Sequence, residues 1–127
     1  MFQRLPHALR LLAVALPLLA SQARAADAPV YAIVHVDIAP SQVEQAIPLL
    51  RSFAEHARHD PAVLDLQVLQ QTGADNHYTL VEVLRSPADY RHFVETDYAK
   101  ALRTGLQPLL GSPFDERLHS RLAGSQP

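Results

Sequence analysis

From residue 30 to residue 38, apolar and mixed positions alternate without a break. Ala32, Val34, Val36 and Ile38 fall on one side, with Tyr31, Ile33, His35 and Asp37 on the other. A period of two is what a strand with one buried face produces, so this segment is read as the first strand. The alternation returns three times. Residues 63–71 set Leu64, Leu66 and Val68 against Asp65, Gln67 and Leu69. Residues 77–84 set Tyr78, Leu80, Glu82 and Leu84 against His77, Thr79, Val81 and Val83. Residues 114–122 set Phe114, Glu116, Leu118 and Ser120 against Asp115, Arg117, His119 and Arg121. Each is predicted to be a strand.

Between these segments the spacing turns helical. Pro40 ends the first strand, and Ser41 with Glu44 three residues later reads as a capping box. Val43, Ile47, Leu50, Ala54 and Ala57 then recur as one apolar stripe, with Glu44, Arg51, Glu55 and Arg58 outside it. Pro48 removes one backbone donor and is expected to bend this helix, which stops at His59-Asp60-Pro61. Thr72 to Asn76, with its glycine and Asx residues, predicts a turn joining the second and third strands as a hairpin. Ser86-Pro87 opens another helix, with Ser86 as cap and Pro87 where a missing N–H costs nothing. Thr96-Asp97 caps a further segment carrying Tyr98, Leu102, Leu106 and Leu109, which Gly105 weakens and Pro108 ends. The order is strand, helix, strand, strand, helix, strand. That is an α+β plan of ferredoxin-like type, βαββαβ, with a four-stranded antiparallel sheet and helices on one face. Ile33, Val81 and Val83 make the second sheet face apolar as well, so a homodimer is expected to bury it.

The first 25 residues change the picture of where the protein resides. Arg4 and Arg10 precede a ten-residue apolar run from Leu11 to Ala20, and Ala23-Arg24-Ala25 supplies small residues for cleavage. This reads as a secretory signal peptide over residues 1–25, with the domain at 26–122 and a frayed tail at 123–127. The run is too short for a permanent bilayer span, which needs about 20 residues. A periplasmic or secreted location, with no stable membrane insertion after cleavage, follows as an expectation. Loss of Arg4, Arg10 and Arg24 takes eleven basic residues to eight against thirteen acids, a net charge of −5. An acidic domain without a basic run argues against a nucleic-acid partner. The chain has no cysteine, which excludes thiol nucleophiles and cysteine-held metal sites.

The segments HDPAVLDLQVLQ and YTLVEVLRSPADYRHFV, at residues 59–70 and 78–94, carry a likeness. With the order of elements around them, the chain resembles the antibiotic biosynthesis monooxygenase family, dimeric α+β barrels that include quinol monooxygenases. The resemblance covers roughly residues 30–122. It implies a cofactor-free oxygenase in which a small phenol or quinol, seated between sheet and helices, loses a proton and passes an electron to O2. By position it implies a pocket lined by Val34, Val36, Leu84, Tyr90, Phe93 and Tyr98. Three departures stand out. Leu84 occupies the place of a tryptophan common in the family, Phe93 and Tyr98 stand where many members have histidines, and Val34 replaces the asparagine of the haem-degrading branch.

Three residues are the candidate catalytic groups: Glu82, Tyr78 and His92. Glu82 lies on an otherwise apolar strand face, where burial would raise its pKa toward that of a useful base. A lone strand acid is more commonly tied to an arginine, and both readings stand at this stage. Tyr78 and Tyr98 are phenols suited to hydrogen-bonding a substrate oxygen, or aromatic core residues whose hydroxyls meet solvent or backbone. His92 carries an imidazole suited to shuttling a proton but neighbours an inward-facing Phe93, which would turn it outward. His56 and His59 share a helix side, yet the dipole of a helix C-terminus explains them without a metal, and no metal site is predicted. The alternative to an enzyme is a non-catalytic periplasmic small-ligand-binding or structural dimer of the same fold, favoured by a greasy pocket with few polar groups.

Overall fold

A computed structural model describes residues 27–125. Strand β1 (Val30–Asp37) leads into helix α1 (Val43–Ala57), then β2 (Val63–Gln71) and β3 (Ala74–Leu84). Two short helices, α2 (Pro87–Phe93) and α3 (Asp97–Leu106), precede β4 (Asp115–His119). The strands form one sheet in the order β2-β3-β1-β4, and every pairing is antiparallel. This is the ferredoxin-like α+β plan expected from the alternation. The expected signal segment, residues 1–25, lies outside the described residues, as do the last two residues of the tail. Among the described residues no helix is long and apolar enough to cross a membrane.

The alternation decides which side chains go inside. Val34, Val36, Tyr78, Leu80 and Leu84 turn toward the helices and are buried with Leu50 and Phe53 of α1 and Leu102 and Leu106 of α3. The helices meet closely at one end. A Cβ on Gly105 would stand 3.0 Å from Cδ1 of Leu49, so glycine there lets α3 approach α1, which is a packing reason for a residue that weakens a helix. The opposite sheet face carries Ile33, Val81 and Leu69, the last 46% exposed.

Several boundaries differ from expectation for physical reasons. Ser41 and Glu44 form no capping box: a 3-10 turn, Pro40–Gln42, precedes α1, and the Gln42 N–H is already satisfied by the Ala39 carbonyl at 2.8 Å. The buried stripe of α1 is Ala46, Leu50, Phe53 and Ala57, displaced from the expected one so that Ala54 is only half-buried and Phe53 is inside. The hairpin is tighter than predicted. Gln71 pairs with Ala74, and the turn is closed by Gly73 at φ 83°, a left-handed value that suits glycine. Strand β4 stops at His119, because its partner register puts residue 121 opposite Pro29, which has no N–H to offer. By contrast the Ser86 and Thr96 caps form, accepting from the N–H groups of Asp89 and Ala99.

Leu80→Ala is expected to cost about 2–5 kcal/mol by opening a cavity in a site with no slack, whereas Leu122→Ala, fully exposed, stays within about 0.5 kcal/mol of the parent. Urea unfolding of the two variants side by side checks this.

Candidate functional site

Glu82 sits near the C-terminal end of β3, and strand alternation aims its side chain at the helices. Its register neighbours are Ala32 on β1 and Leu66 on β2, one small and one apolar. The residue is 3% exposed, and its Oε2 is buried without a hydrogen-bond partner. A charge stripped of water and left unbonded is costly, so burial, reinforced by the negative charge of Glu116 and opposed by Arg103, pushes its pKa up to about 7. The expected tie to an arginine is therefore absent. Arg103, the cation beside it, is already held by Glu116: its Nη2 donates to Oε2 at 2.6 Å.

A small cavity opens beside Glu82. Val34 and Leu80 give its floor on the sheet, and Phe53 of α1 and Phe114 of the segment before β4 give aromatic walls. Ala99, Leu102 and Arg103 cover it from α3. The space is about 10 Å³, room for one water at most. Tyr90 does not line the cavity; its hydroxyl donates to Glu116 Oε1 at 2.7 Å. Burial first, then that bond, raises the Tyr90 pKa, so the phenol stays neutral. Glu116 thus accepts from Tyr90 and Arg103 at once and joins β4 to both short helices. The Arg103 guanidinium also lies over the Phe114 ring at 5.4 Å.

The other candidate residues separate from Glu82. Tyr78 shares its strand face but is two inward positions away, with Leu80 between them. Its hydroxyl accepts from Gln70 Nε2 at 3.3 Å, and the ring lines a different pocket of about 200 Å³ with Ile47, Leu50 and Val68. Tyr78 and Glu82 therefore do not converge, because a strand advances roughly 13 Å over four residues. His92 is exposed on the outer side of α2, as the inward turn of Phe93 requires. Val36 and Leu84 are buried in the core away from the cavity, and Phe93 packs behind Phe53 with centroids 6.0 Å apart.

Tyr98 belongs to a separate, open groove between α1 and α3 of about 380 Å³. Its hydroxyl donates to Asp60 Oδ2 at 2.8 Å, and burial together with that bond raises its pKa. His56 stacks on it, 5.7 Å between centroids at 15°, while His56 Nδ1 donates to the Ser52 carbonyl. His59 Nε2 lies 3.3 Å from Glu55. The described residues contain no cluster of three or more metal-ligating side chains. Sequence reading missed Arg103, Glu116, Phe53 and Phe114. Glu116 was legible as an acid on an inward-facing strand position, but nothing local announced that Arg103 would meet it.

The family model described as antibiotic biosynthesis monooxygenase matches residues 29–105, more than half of the chain. The chain belongs to this family. A Synechocystis relative, uncharacterized protein sll1783, is 24% identical over 103 residues, which span 81% of this chain and 70% of the relative. A putative antibiotic biosynthesis monooxygenase from Nitrosomonas europaea superposes with TM-score 0.71 at 17% identity, covering 74% of this chain and 99% of that one. Rv0793 from Mycobacterium tuberculosis gives TM-score 0.73 at 16% identity, covering 78% and 100%. At such identities these neighbours establish the fold. The match ends at residue 105, so Arg103 of this family member lies inside it and Glu116 outside.

The raised pKa of Glu82 makes a stability prediction. The folded state holds this proton up to about pH 7 while the unfolded chain releases it near 4.5, so folding binds a proton between those values and stability falls as pH rises through that window. The loss is about 3 kcal/mol and is complete above pH 8. In Glu82→Gln that component is expected to vanish, which denaturant unfolding of both proteins at pH 5 and pH 8 would read as a difference of slopes.

Proposed function

We propose that this protein is an exported, homodimeric monooxygenase that oxidises a small phenol or quinol with O2, needing no cofactor, with Glu82 as the proton acceptor. The observation that carries the reading is the buried Glu82 carboxylate, whose Oε2 has no hydrogen-bond partner, half-ionised near neutral pH and facing a small cavity with aromatic walls. A base poised near the working pH combines availability with driving force. It takes the proton of the substrate hydroxyl, and the field of Arg103 eases formation of the anion. Removal of water from the site keeps that charge uncompensated and electron-rich. The anion passes an electron to O2, and the two radicals join as a C–O bond. For a hydroquinone, one oxygen atom replaces a ring hydrogen and the other leaves as water, giving a hydroxyquinone. Family membership supports the reaction class. The signal-like residues 1–25 support export to a periplasmic or secreted location, and the apolar outer face around Ile33 and Val81 supports the dimer.

A second reading has its own support. The groove of about 380 Å³ between α1 and α3, lined largely by Leu49, Phe53, Tyr98, Ala101 and Leu102, suits a protein that holds a small apolar ligand, while the 10 Å³ left beside Glu82 suits one whose fold serves only as a structural dimer.

Oxygen uptake with product masses, on a panel of phenols and hydroquinones corrected for autoxidation, separates the two. On the enzyme reading, kcat/KM rises with pH through about 7 and then levels. Glu82→Gln lowers it by about 10²–10⁴-fold, the usual contribution of a general base. Tyr78→Phe, in its separate pocket, leaves it nearly unchanged. Absence of protein-dependent uptake, with tight binding of a panel member, would establish the ligand-binding reading instead. For the assembly, sedimentation equilibrium is expected to give a dimer that Val81→Glu dissociates; a monomeric parent would remove the dimer from the proposal.

A further inference from the structure

The Glu82 cavity and the groove between α1 and α3 are neighbours with a common wall. Phe53 and Leu102 line both. On one side lies about 10 Å³ around the carboxylate, and on the other about 380 Å³ open to solvent. A benzene ring needs a cavity on the order of 150 Å³, so no aromatic compound reaches Glu82 while this wall stands. Three of the remaining boundaries are poor candidates for movement. Val34 and Leu80 are strand residues in the middle of the sheet, and Arg103 is tied down by Glu116. The helices are in tight contact where Gly105 meets Leu49, and the groove runs from Leu49 toward Asp97 and Tyr98 at the start of α3.

We infer that Phe53 is the gate through which an aromatic substrate passes from this groove to Glu82, and that its side chain sets the largest ring system admitted. The inference rests on Glu82 being the reacting centre of the proposed function. Rotation of a flat ring about two bonds joins cavity and groove without moving the backbone. The groove offers a matching vestibule. Tyr98 is fixed by Asp60 and by the stacked His56, so an aromatic surface stands next to the gate. The Phe53 ring packs on Tyr98 at 5.7 Å and on Phe93 at 6.0 Å, and a planar ligand arriving in the groove can replace the contact with Tyr98 as Phe53 turns.

The test is stopped-flow binding of 2-naphthol, followed by its fluorescence, with oxygen excluded so that turnover plays no part. Phe53→Leu, which shortens the gate while keeping it apolar, is expected to raise the association rate about tenfold, and Phe53→Trp to lower it about tenfold, as for a step limited by a conformational change. Phe93→Leu makes a comparable truncation behind the gate and is expected to change the rate less than about twofold, which separates gating from loosened packing. The affinity of 9-phenanthrol relative to 2-naphthol is expected to rise in Phe53→Leu. Association rates that ignore both Phe53 substitutions would overturn the inference. So would a faster rate in Phe114→Ala than in Phe53→Leu, which would put the entrance between α3 and β4. Failure of 2-naphthol and 9-phenanthrol alike to bind the parent and Phe53→Leu at millimolar concentration would overturn it as well. Because oxygen is absent, these outcomes stand apart from the oxygen-uptake result: a working gate without uptake refutes only the oxidation, and uptake with an indifferent Phe53 refutes only the gate.

Discussion

Every element of the helical layer is arranged around a carboxylate that has nowhere to discharge its cost. Glu82 is placed in the core by the same alternation that buries Leu80 and Leu84, and a glutamate in that position ordinarily brings an arginine with it. Here the available arginine is occupied. Glu116 engages Arg103 and Tyr90, and its own negative charge adds to the pressure that keeps Glu82 protonated. Energy that a paired acid would recover is left as a raised pKa, which is the property a general base needs near neutrality.

That arrangement depends on three segments remote in sequence. Arg103 comes from the last turns of α3, Glu116 from the short edge strand β4, and Tyr90 from α2, whose start is fixed by the Ser86 cap. β4 contributes little to the buried core, and its Leu118 is 54% exposed. Its importance lies in presenting one acid at the position opposite Val34. Asp60 plays a similar part on the other side of the helices. Read along the chain it is a residue before a proline that stops α1; in the fold its carboxylate receives both the Ala62 N–H and the Tyr98 hydroxyl and so links the start of β2 to α3.

The two sheet faces then divide the work. The covered face carries Glu82 and the aromatic residues around it. The open face presents Ile33, Val81 and Leu69 beside polar His35 and Thr79, whose side chains approach to 3.3 Å. Tyr31 interacts there with Arg121, whose guanidinium lies over the ring. Apolar residues and such polar contacts are interleaved across this face.

The alternation and the caps were legible because they are local. Period-two strands, the Ser86 and Thr96 caps and the order βαββαβ follow from neighbours within a few residues, and together they also place Glu82 on the helix side of its strand. The differences arose where a neighbouring turn or a distant partner decided. A backbone 3-10 turn displaced the capping box at Ser41, Pro29 cut short β4, and the angular setting of α1 brought Phe53 rather than Ala54 inward. Tyr78 and Glu82 share a face, so sequence alone joined them in one pocket; the helices above divide that face, giving each its own cavity. The pairing of Arg103 with Glu116 across thirteen residues and two elements had no local signal at all. Sequence by itself determined which strand residues turn inward, since that depends only on backbone periodicity. Only the tertiary structure decided which inward residues meet, and hence that Glu82 is left without a partner, because that depends on how α1, α3 and β4 pack over the sheet.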